Sequence, residues 1–155
     1  MSRNIRILPD HPNLLSLPYQ TAHSTYDILI LPGGAPGAKT FSTNDMVLEL
    51  IHEFRKAGKW VAAICASTTA LVAAQKKHGG DKAVVTSHPS VRERVEKEGG
   101  WEYSEERVVV DQGKKMITSR GPGTALGFAL DIVEVFEGKE KREEVGGSMV
   151  LAEKL

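Results

Sequence analysis

The stretch 60-WVAAICASTTALVAA-74 carries the clearest signal of the architecture, because a buried strand changes into a helix within it. Residues 60–64 form an apolar run typical of a buried strand, and the small polar residues after Cys65 are typical of a helix start. Cys65, the only cysteine of the chain, therefore lies at the junction of the two elements. A thiol at such a junction is either a small core side chain or a nucleophile raised on a tight turn.

Strand-like and helix-like segments alternate around this stretch. Residues 26–31 form an apolar run ended by Pro32-Gly33-Gly34, which predicts a buried strand and a tight loop. An amphipathic helix is predicted over residues 43–58 and a third strand over residues 83–86, followed by a short charged helix up to Gly99-Gly100. This alternation predicts an α/β sandwich in which helices cover both faces of a parallel sheet.

The pattern changes in the second half of the chain. The segment 107-RVVVDQGKKMITS-119 has two β-rich arms around a turn, which predicts a hairpin. Apolar residues at helical spacing from Leu126 to Phe136 predict a helix that ends at Gly138, and a last helix is expected in the charged segment beyond. Because no repeat or low-complexity linker interrupts the chain, residues 1–155 are predicted to form one domain.

Composition argues against several classes of function. The 155 residues include 20 basic and 20 acidic side chains, so the charge favours neither nucleic acid nor a membrane surface as a partner. The apolar runs are shorter than the ~20 residues of a membrane span, and the first residues lack a signal-peptide core. We therefore expect a cytoplasmic protein, with the nucleus as a further location. One cysteine excludes an intrachain disulfide and a multi-cysteine zinc site.

Three loops are expected to meet at one edge of the sheet. Ligands of such folds bind beyond the carboxyl ends of parallel strands, where residues 32–34, 64–66 and 87–89 are predicted to lie. A helix start favours the thiolate form of a cysteine, an imidazole such as that of His88 can move a proton, and glycine amides can hold an oxyanion. Each of these residues also has a purely structural interpretation, as a core thiol, a hydrogen-bonded histidine or turn glycines. The hypothesis of a reactive site rests on their combination.

Five strings in the sequence point to a known family. They are ILPGGAPGAKT, AAICAS, TSHPSVRE, YSEERVVVD and ITSRGPGTALGFALDIVE. In this order and spacing they resemble the ThiJ/PfpI superfamily, in the branch of the parkinsonism-associated deglycases, over nearly the whole chain. The resemblance implies a flavodoxin-like, three-layer α/β sandwich with a mostly parallel sheet, usually assembled as a homodimer.

The resemblance also assigns roles to individual residues. Cys65 matches the family's redox-sensitive cysteine, His88 its neighbouring histidine and Gly34 a loop glycine beside the thiol. Arg120 and Pro122 fall in a motif that lines the same pocket. In addition, Arg3 matches an arginine near the subunit interface.

The implied activity is that of a glutathione-independent glyoxalase, also called lactate dehydratase, or of a deglycase. In this scheme the Cys65 thiolate adds to the aldehyde of methylglyoxal, amides near Gly34 and Ala66 hold the oxyanion, and His88 assists proton transfer. The chemistry needs no metal and no organic cofactor. Substrates are small dicarbonyls, with glycated proteins as a further class.

Other functions stay open from the residues. A cysteine-based oxidative-stress sensor, or a redox-dependent chaperone, would need the thiol but no turnover. A cysteine peptidase or amidotransferase is disfavoured because the elbow lacks the glycines of a G-x-C-x-G motif. A chain with no activity of its own is a further alternative.

The resemblance also predicts an N-terminal truncation. Family members normally begin earlier, with a strand inside the sheet, a long helix, and a glutamate that hydrogen-bonds the cysteine sulfur. No residue here matches that glutamate, since Glu49, Glu53 and Glu93 belong to amphipathic helices. We therefore expect an uncovered helix-binding face, lower stability, weaker proton transfer, and a Met1 that is an internal methionine of a longer protein.

Overall fold

A computed structural model describes residues 6–151 of the chain. Its strands are β1 (Ile28–Leu31), β2 (Trp60–Ile64), β3 (Val84–Val85), β4 (Glu102–Tyr103), β5 (Val108–Asp111) and β6 (Met116–Ser119). Its α-helices are α1 (Ala22–Thr25), α2 (Ala35–Thr43), α3 (Asp45–Lys56), α4 (Thr68–His78), α5 (Ala125–Glu137) and α6 (Lys139–Ser148). Short 3₁₀ turns cover Leu14–Ser16, Tyr19–Thr21, Cys65–Ser67, Pro89–Val91 and Pro122–Thr124, and a π-helical turn covers Arg94–Glu98.

The main sheet has four strands in the order β1-β2-β6-β5. β1, β2 and β6 are parallel, and β5 is antiparallel to β6, as the predicted hairpin requires. β3 and β4 form a separate parallel pair, which two side chains tie to the main sheet. The amide of Val84 donates to Asp111 at 3.0 Å, and the amide of Thr86 donates to the Thr118 hydroxyl at 2.8 Å. The mostly parallel, flavodoxin-like α/β architecture predicted from the sequence is confirmed.

Alternate strand residues face two separate cores, which makes three layers. Val61 and Ala63 of β2 point to one side, where helices α3 and α4 pack, and are fully buried. Ala62 and Ile117 point to the other side, where Phe128 of α5 packs against them. This period-two division is what a strand buried on both faces shows.

The face beneath α5 is the less complete of the two. Ile30 of β1 lies opposite Ala62 in the register, yet 45% of it is exposed. Phe136 of α5 reaches across to Trp60, with their ring centroids 6.3 Å apart, and is itself 39% exposed. Apolar side chains therefore remain in contact with solvent on this face.

One predicted helix is present, and a neighbouring helix was not predicted. The helix predicted over residues 43–58 is α3 (Asp45–Lys56), and the Asn44 side chain fixes its start by accepting hydrogen bonds from the amides of Met46 and Val47. The residues before it form α2, which was not predicted because Pro36 and Gly37 indicate a loop. Pro36 lies in the first turn of α2, where its missing N–H is not needed. The predicted charged helix before Gly99 is present as a continuous helical run over residues 89–98, which begins with 3₁₀ and ends with π-helical hydrogen bonding.

Candidate active site

The only cysteine lies on a strained elbow. β2 ends at Ile64, and Cys65 opens a 3₁₀ turn that leads into α4. The backbone of Cys65 has φ 68°, in the left-handed region that residues other than glycine and asparagine seldom occupy. Such strain persists only where the surroundings fix the backbone, and it is frequent at reactive positions. The residue as a whole is half-buried.

Gly33 makes room for this elbow. A Cβ at Gly33 would lie 2.9 Å from Cβ of Cys65, 3.3 Å from the carbonyl oxygen of Ile64 and 3.8 Å from the thiol sulfur. Gly33 therefore packs directly against the cysteine. Gly34, the glycine predicted to lie beside the thiol, has φ 111° and caps the start of α2. Only a glycine adopts that backbone conformation readily, so Gly34 directs the chain from the loop into the helix.

Three hydrogen bonds hold the predicted loops together at the carboxyl ends of the strands. The hydroxyl of Ser67 donates to the carbonyl of Pro32 at 2.5 Å, which links the first loop to the elbow. The hydroxyl of Thr68 donates to the carbonyl of Thr86 at 3.0 Å. The amide of His88 donates to the carbonyl of Cys65 at 3.2 Å, which links the third loop to the elbow. The structure thus brings together the loops that carry Gly34, Cys65 and His88.

The ring of His88 is oriented by its own loop. Its Nδ1 accepts a hydrogen bond from the amide of Ser90 at 3.2 Å, and the Ser90 hydroxyl lies 2.8 Å from the same nitrogen. Since Nδ1 accepts, the neutral ring carries its proton on Nε2. Within residues 6–151 no hydrogen bond joins the imidazole to the thiol, so the two groups are linked through their backbones.

Comparison with known proteins identifies the family. Residues 2–135 match the sequence model of the DJ-1/PfpI family. The chain belongs to the DJ-1/PfpI family. It is 42% identical over 125 residues to a Schizosaccharomyces pombe protein named glutathione-independent glyoxalase DJ-1, and this match covers 80% of the chain and 62% of that relative. It is 38% identical over 151 residues to glutathione-independent glyoxalase DJR-1.2 of Caenorhabditis elegans, covering 97% of the chain and 74% of that relative.

A solved member of the DJ-1/PfpI family has the same fold. The crystal structure of Drosophila melanogaster DJ-1beta superposes with a TM-score of 0.80 at 35% identity, over 97% of this chain and 75% of that one. The resemblance noted from the sequence strings is therefore confirmed. The chain spans less than two thirds of the length of the Schizosaccharomyces pombe relative. Among residues 6–151, no helix has the length and apolar character needed to cross a membrane.

The remaining predicted site residues differ in their surroundings. Ala66 is buried within the elbow. Arg120 is held by Glu105, through its carboxylate at 2.9 Å and its carbonyl at 3.0 Å. Pro122 is exposed and opens the 3₁₀ turn that precedes α5. Between them, Gly121 lies against the His88 ring, because a Cβ there would be 3.5 Å from Cδ2. Arg3 lies outside residues 6–151, so the structure does not describe it.

Carboxylates considered as replacements for the family glutamate lie on helix surfaces. Glu53 faces Lys56 at 3.9 Å, and Glu93 pairs with Lys97 at 3.2 Å. Glu49 is exposed on α3. Their assignment as solvated helix charges agrees with these positions. Within the described part of the chain, no group of three or more histidine, cysteine or acidic side chains is arranged to hold a metal ion.

Four supporting residues were not assigned a role from the sequence. Gly33 packs on the thiol, Ser67 bonds the neighbouring loop, Ser90 orients the imidazole and Glu105 holds Arg120. One of them had a local signal, because Ser90 follows His88 by two residues, which is the spacing of side-chain hydrogen bonds to nearby backbone. The bond of Ser67 to Pro32 joins residues 35 positions apart, so no local pattern indicates it. The contact of Glu105 with Arg120 depends on tertiary structure alone.

Proposed function

We propose that this chain converts methylglyoxal to lactate without glutathione, with Cys65 as the nucleophile. The observation that carries the proposal is the position of Cys65, at φ 68° on a strand-to-helix elbow and half-buried. Two relatives at 42% and 38% identity that are named glutathione-independent glyoxalases support the choice of reaction. A core thiol needs neither partial exposure nor a strained backbone, so the structural interpretation of Cys65 explains these features less well.

The reaction proceeds through a covalent hemithioacetal. The thiolate sulfur adds to the aldehyde carbon, and the carbonyl electron pair becomes an oxyanion. The hydrogen on that carbon then moves as a proton to the neighbouring ketone carbon through an enediolate, which gives a thioester of lactate. Water attacks the thioester, releases lactate and restores the thiol. Methylglyoxal and one water molecule thus give lactate, with no external oxidant or reductant.

Two helix starts supply the electrostatic support. α2 begins directly after Gly33-Gly34 and α4 begins three residues after Cys65. The first amides of a helix lack partners within the helix, and the helix dipole is positive at that end. Both helices therefore favour negative charge on the oxyanion of the adduct beside the elbow. We assign the amides around Gly34 and Ala66 to this role.

His88 acts in this proposal as a proton donor through Nε2. Its Nδ1 already accepts from Ser90, so only the Nε2 side of the ring can donate to an oxygen of the adduct. Donation at that step stabilises the enediolate and is worth ~10²–10⁴-fold in rate. Arg120, Gly121 and Pro122 form the wall behind the ring in this scheme.

Lactate release from methylglyoxal, measured without glutathione, tests the proposal. The purified chain is compared with Cys65→Ser, and circular dichroism verifies that both are folded. We expect lactate from the native chain and none above background from the variant. Turnover retained in Cys65→Ser, or no lactate from a folded native chain, would overturn the proposal.

His88→Ala tests whether lactate formation and oxidation of Cys65 depend on different groups. It removes the Nε2 donor but leaves the elbow, so lactate release should fall while peroxide oxidation of Cys65 continues at nearly its native rate. His88→Asn is the matched control, because its side chain can restore a hydrogen bond to the Ser90 amide without an Nε2 donor. An equal loss of lactate formation and of thiol oxidation would contradict the assignment of His88 to turnover alone.

The partial exposure of Cys65 supports a second function, that of an oxidative-stress sensor. In this proposal peroxide reaches the half-buried cysteine, and the amides of two helix starts stabilise the sulfinate that forms. Mass spectrometry after graded peroxide treatment measures this directly. Formation of the sulfinic acid at Cys65, in a folded chain that releases no lactate, would favour the sensor over the enzyme.

A further inference from the structure

We infer that a second ligand site, for a compact anion with two or more phosphate groups, lies at the opposite end of the sheet from Cys65. A cavity of about 440 Å³ opens there, within the size range of small-molecule pockets. It lies where β2 and β6 begin, whereas the cysteine follows the last residue of β2. Five strand residues separate the two ends, which corresponds to about 16 Å.

The cavity is lined by an unusual concentration of positive charge. Its basic residues are Arg55, Lys56, Lys59, Lys114 and Lys115, and its one carboxylate is Asp81. The whole chain has no net formal charge, so this is a local excess. Like charges gathered around one cavity repel each other, and a bound polyanion would remove that repulsion.

Ion pairs within the protein neutralise only part of this charge. Lys114 pairs with Asp81 at 2.6 Å, Lys59 with Asp27 at 2.7 Å, and Lys56 with Glu53 at 3.9 Å. Lys115, by contrast, donates to the carbonyl of Gly58 at 2.6 Å. A carbonyl satisfies a hydrogen bond but does not balance the charge, so Lys115 can still contribute its full positive charge to a ligand.

Arg55 is a partly buried cation of the cavity. It donates to the carbonyl of Asp81 and lies over the ring of Trp101, 5.5 Å from its centroid. Removal of water lowers the pKa of this guanidinium, and the negative charge of Asp81 opposes the effect only in part. A buried cation without full compensation is costly to the fold and is frequent at binding sites.

Helix capping does not explain the whole cluster. α3 ends at Lys56, and cations in the last turn of a helix are common because they balance its dipole. That accounts for Arg55 and Lys56. Lys59 belongs to the same helix end, because its amide donates to the carbonyl of Phe54 in the last turn of α3. Lys114 and Lys115, however, lie in the turn before β6 and belong to no helix.

The backbone of Lys115 has a conformation that is unfavourable for lysine. Its φ is 49°, which a lysine adopts less readily than an asparagine or a glycine. A turn residue selected for folding alone would be one of those two. From this position the lysine side chain reaches the cavity. A change to asparagine would remove this side chain and keep a residue suited to the backbone.

The charge and size of the cavity point to diphosphate or triphosphate groups. Carboxylates carry one charge each, whereas a diphosphate presents several anionic oxygens within the length of the cavity, and lysine and arginine both bind phosphate. The same group occurs in free pyrophosphate and in nucleotides. Separate titrations with pyrophosphate, ATP and adenosine distinguish these sources.

Isothermal titration of the native 155-residue chain with pyrophosphate at low salt is the first measurement. We expect one binding site per chain, with affinity that falls as sodium chloride is added. ATP should bind as well, and adenosine should not. Tripolyphosphate is titrated for comparison with ATP. Tighter binding of ATP would indicate that nucleotides are the preferred ligands, and equal affinities would indicate that the protein recognises only the phosphate chain. Both results support the site. Binding of adenosine without pyrophosphate, or no binding of any phosphate, would overturn it.

Two cavity variants and one matched control locate the binding. Lys115→Asn removes a cation at a position where asparagine is compatible with the backbone, so the fold should be retained and the affinity should fall about tenfold or more. Arg55→Met should have a similar effect on affinity. Lys97→Asn is the control, because Lys97 is an exposed lysine on a different surface, paired with Glu93. Native affinity in Lys115→Asn, or an equal loss in Lys97→Asn, would show that the cavity is not the site.

Discussion

Replacement of Gly33 by alanine tests the closest contact of the candidate active site. The new methyl group would lie 2.9 Å from Cβ of Cys65 and 3.3 Å from the carbonyl oxygen of Ile64. Both neighbours belong to the elbow, where the backbone is already strained at φ 68°. Neither atom is the free end of a long side chain, so the contact cannot be relieved by a change of rotamer.

The size of the effect follows from this geometry. Ordinary contacts of a Cβ lie at 3.4 Å or more, so the loop and the elbow must separate by about 0.5 Å. Overpacking of a well-packed region costs about 1–3 kcal/mol, a large share of the ~5–15 kcal/mol that stabilises a typical domain. A displacement of that size at the nucleophile should also lower lactate release by about tenfold or more.

Urea denaturation and alkylation of the thiol measure the two consequences. We expect a lower free energy of unfolding for Gly33→Ala, together with a changed rate of Cys65 modification by iodoacetamide. Gly147→Ala is the matched control, because a Cβ there has no neighbour within 4 Å and alanine favours the helix α6 by up to about 1 kcal/mol. Native stability and native alkylation in Gly33→Ala would refute the close packing of the elbow.

Four further substitutions test the link between Ser67 and Pro32, the burial of the sheet residues and the pH dependence of stability. Ser67→Ala removes the partly buried hydrogen bond to the Pro32 carbonyl and should lower stability in urea by about 1–3 kcal/mol, whereas an unchanged midpoint would contradict a stabilising role for this bond. Ile117→Ala, in the fully buried β6, should lower the free energy of unfolding by about 2–5 kcal/mol. Ile30→Ala should lower it clearly less, because 45% of Ile30 is exposed. Equal losses of stability in urea would contradict this difference in burial. Burial raises the pKa of the Asp131 carboxyl, so the folded state holds this proton more tightly than the unfolded chain does, and stability from this group falls as pH rises through the folded pKa. Asp131→Asn should therefore be at least as stable as the native chain near pH ~7 and lose that advantage near pH ~3, and a marked loss of stability at neutral pH would contradict the assignment.

The sequence predicted those features that local pattern controls. The strand over residues 60–64 has the predicted bounds, because a continuous apolar run before a small-residue helix start has few other structures available. The hairpin of residues 107–119 was also correct, because two β-rich arms flank a turn that contains glycine. The placement of Cys65 after β2 follows from these local signals alone.

Features that depend on contacts between distant segments could not be predicted from the sequence. α2 was missed because Pro36 and Gly37 disfavour a helix locally, while its packing on α4 stabilises one. The sequence resemblance named Gly34 as the glycine beside the thiol, and only the path of the loop shows that Gly33 packs against Cys65. The tautomer of His88 likewise depends on a hydrogen bond whose geometry the sequence does not specify.

The elbow and the exposed sheet face belong to different sides of the sheet. Residues beneath the elbow, Leu31, Val61, Ala63 and Leu71, lie in the core shared with α3 and α4 and are almost completely buried. The exposed apolar residues, such as Ile30 and Phe136, lie on the side of α5. Incomplete cover on the α5 side should therefore lower the overall stability more than it alters the geometry around Cys65. A chain that unfolds at low urea concentration, yet alkylates Cys65 as a single ordered site while folded, is the behaviour this division predicts.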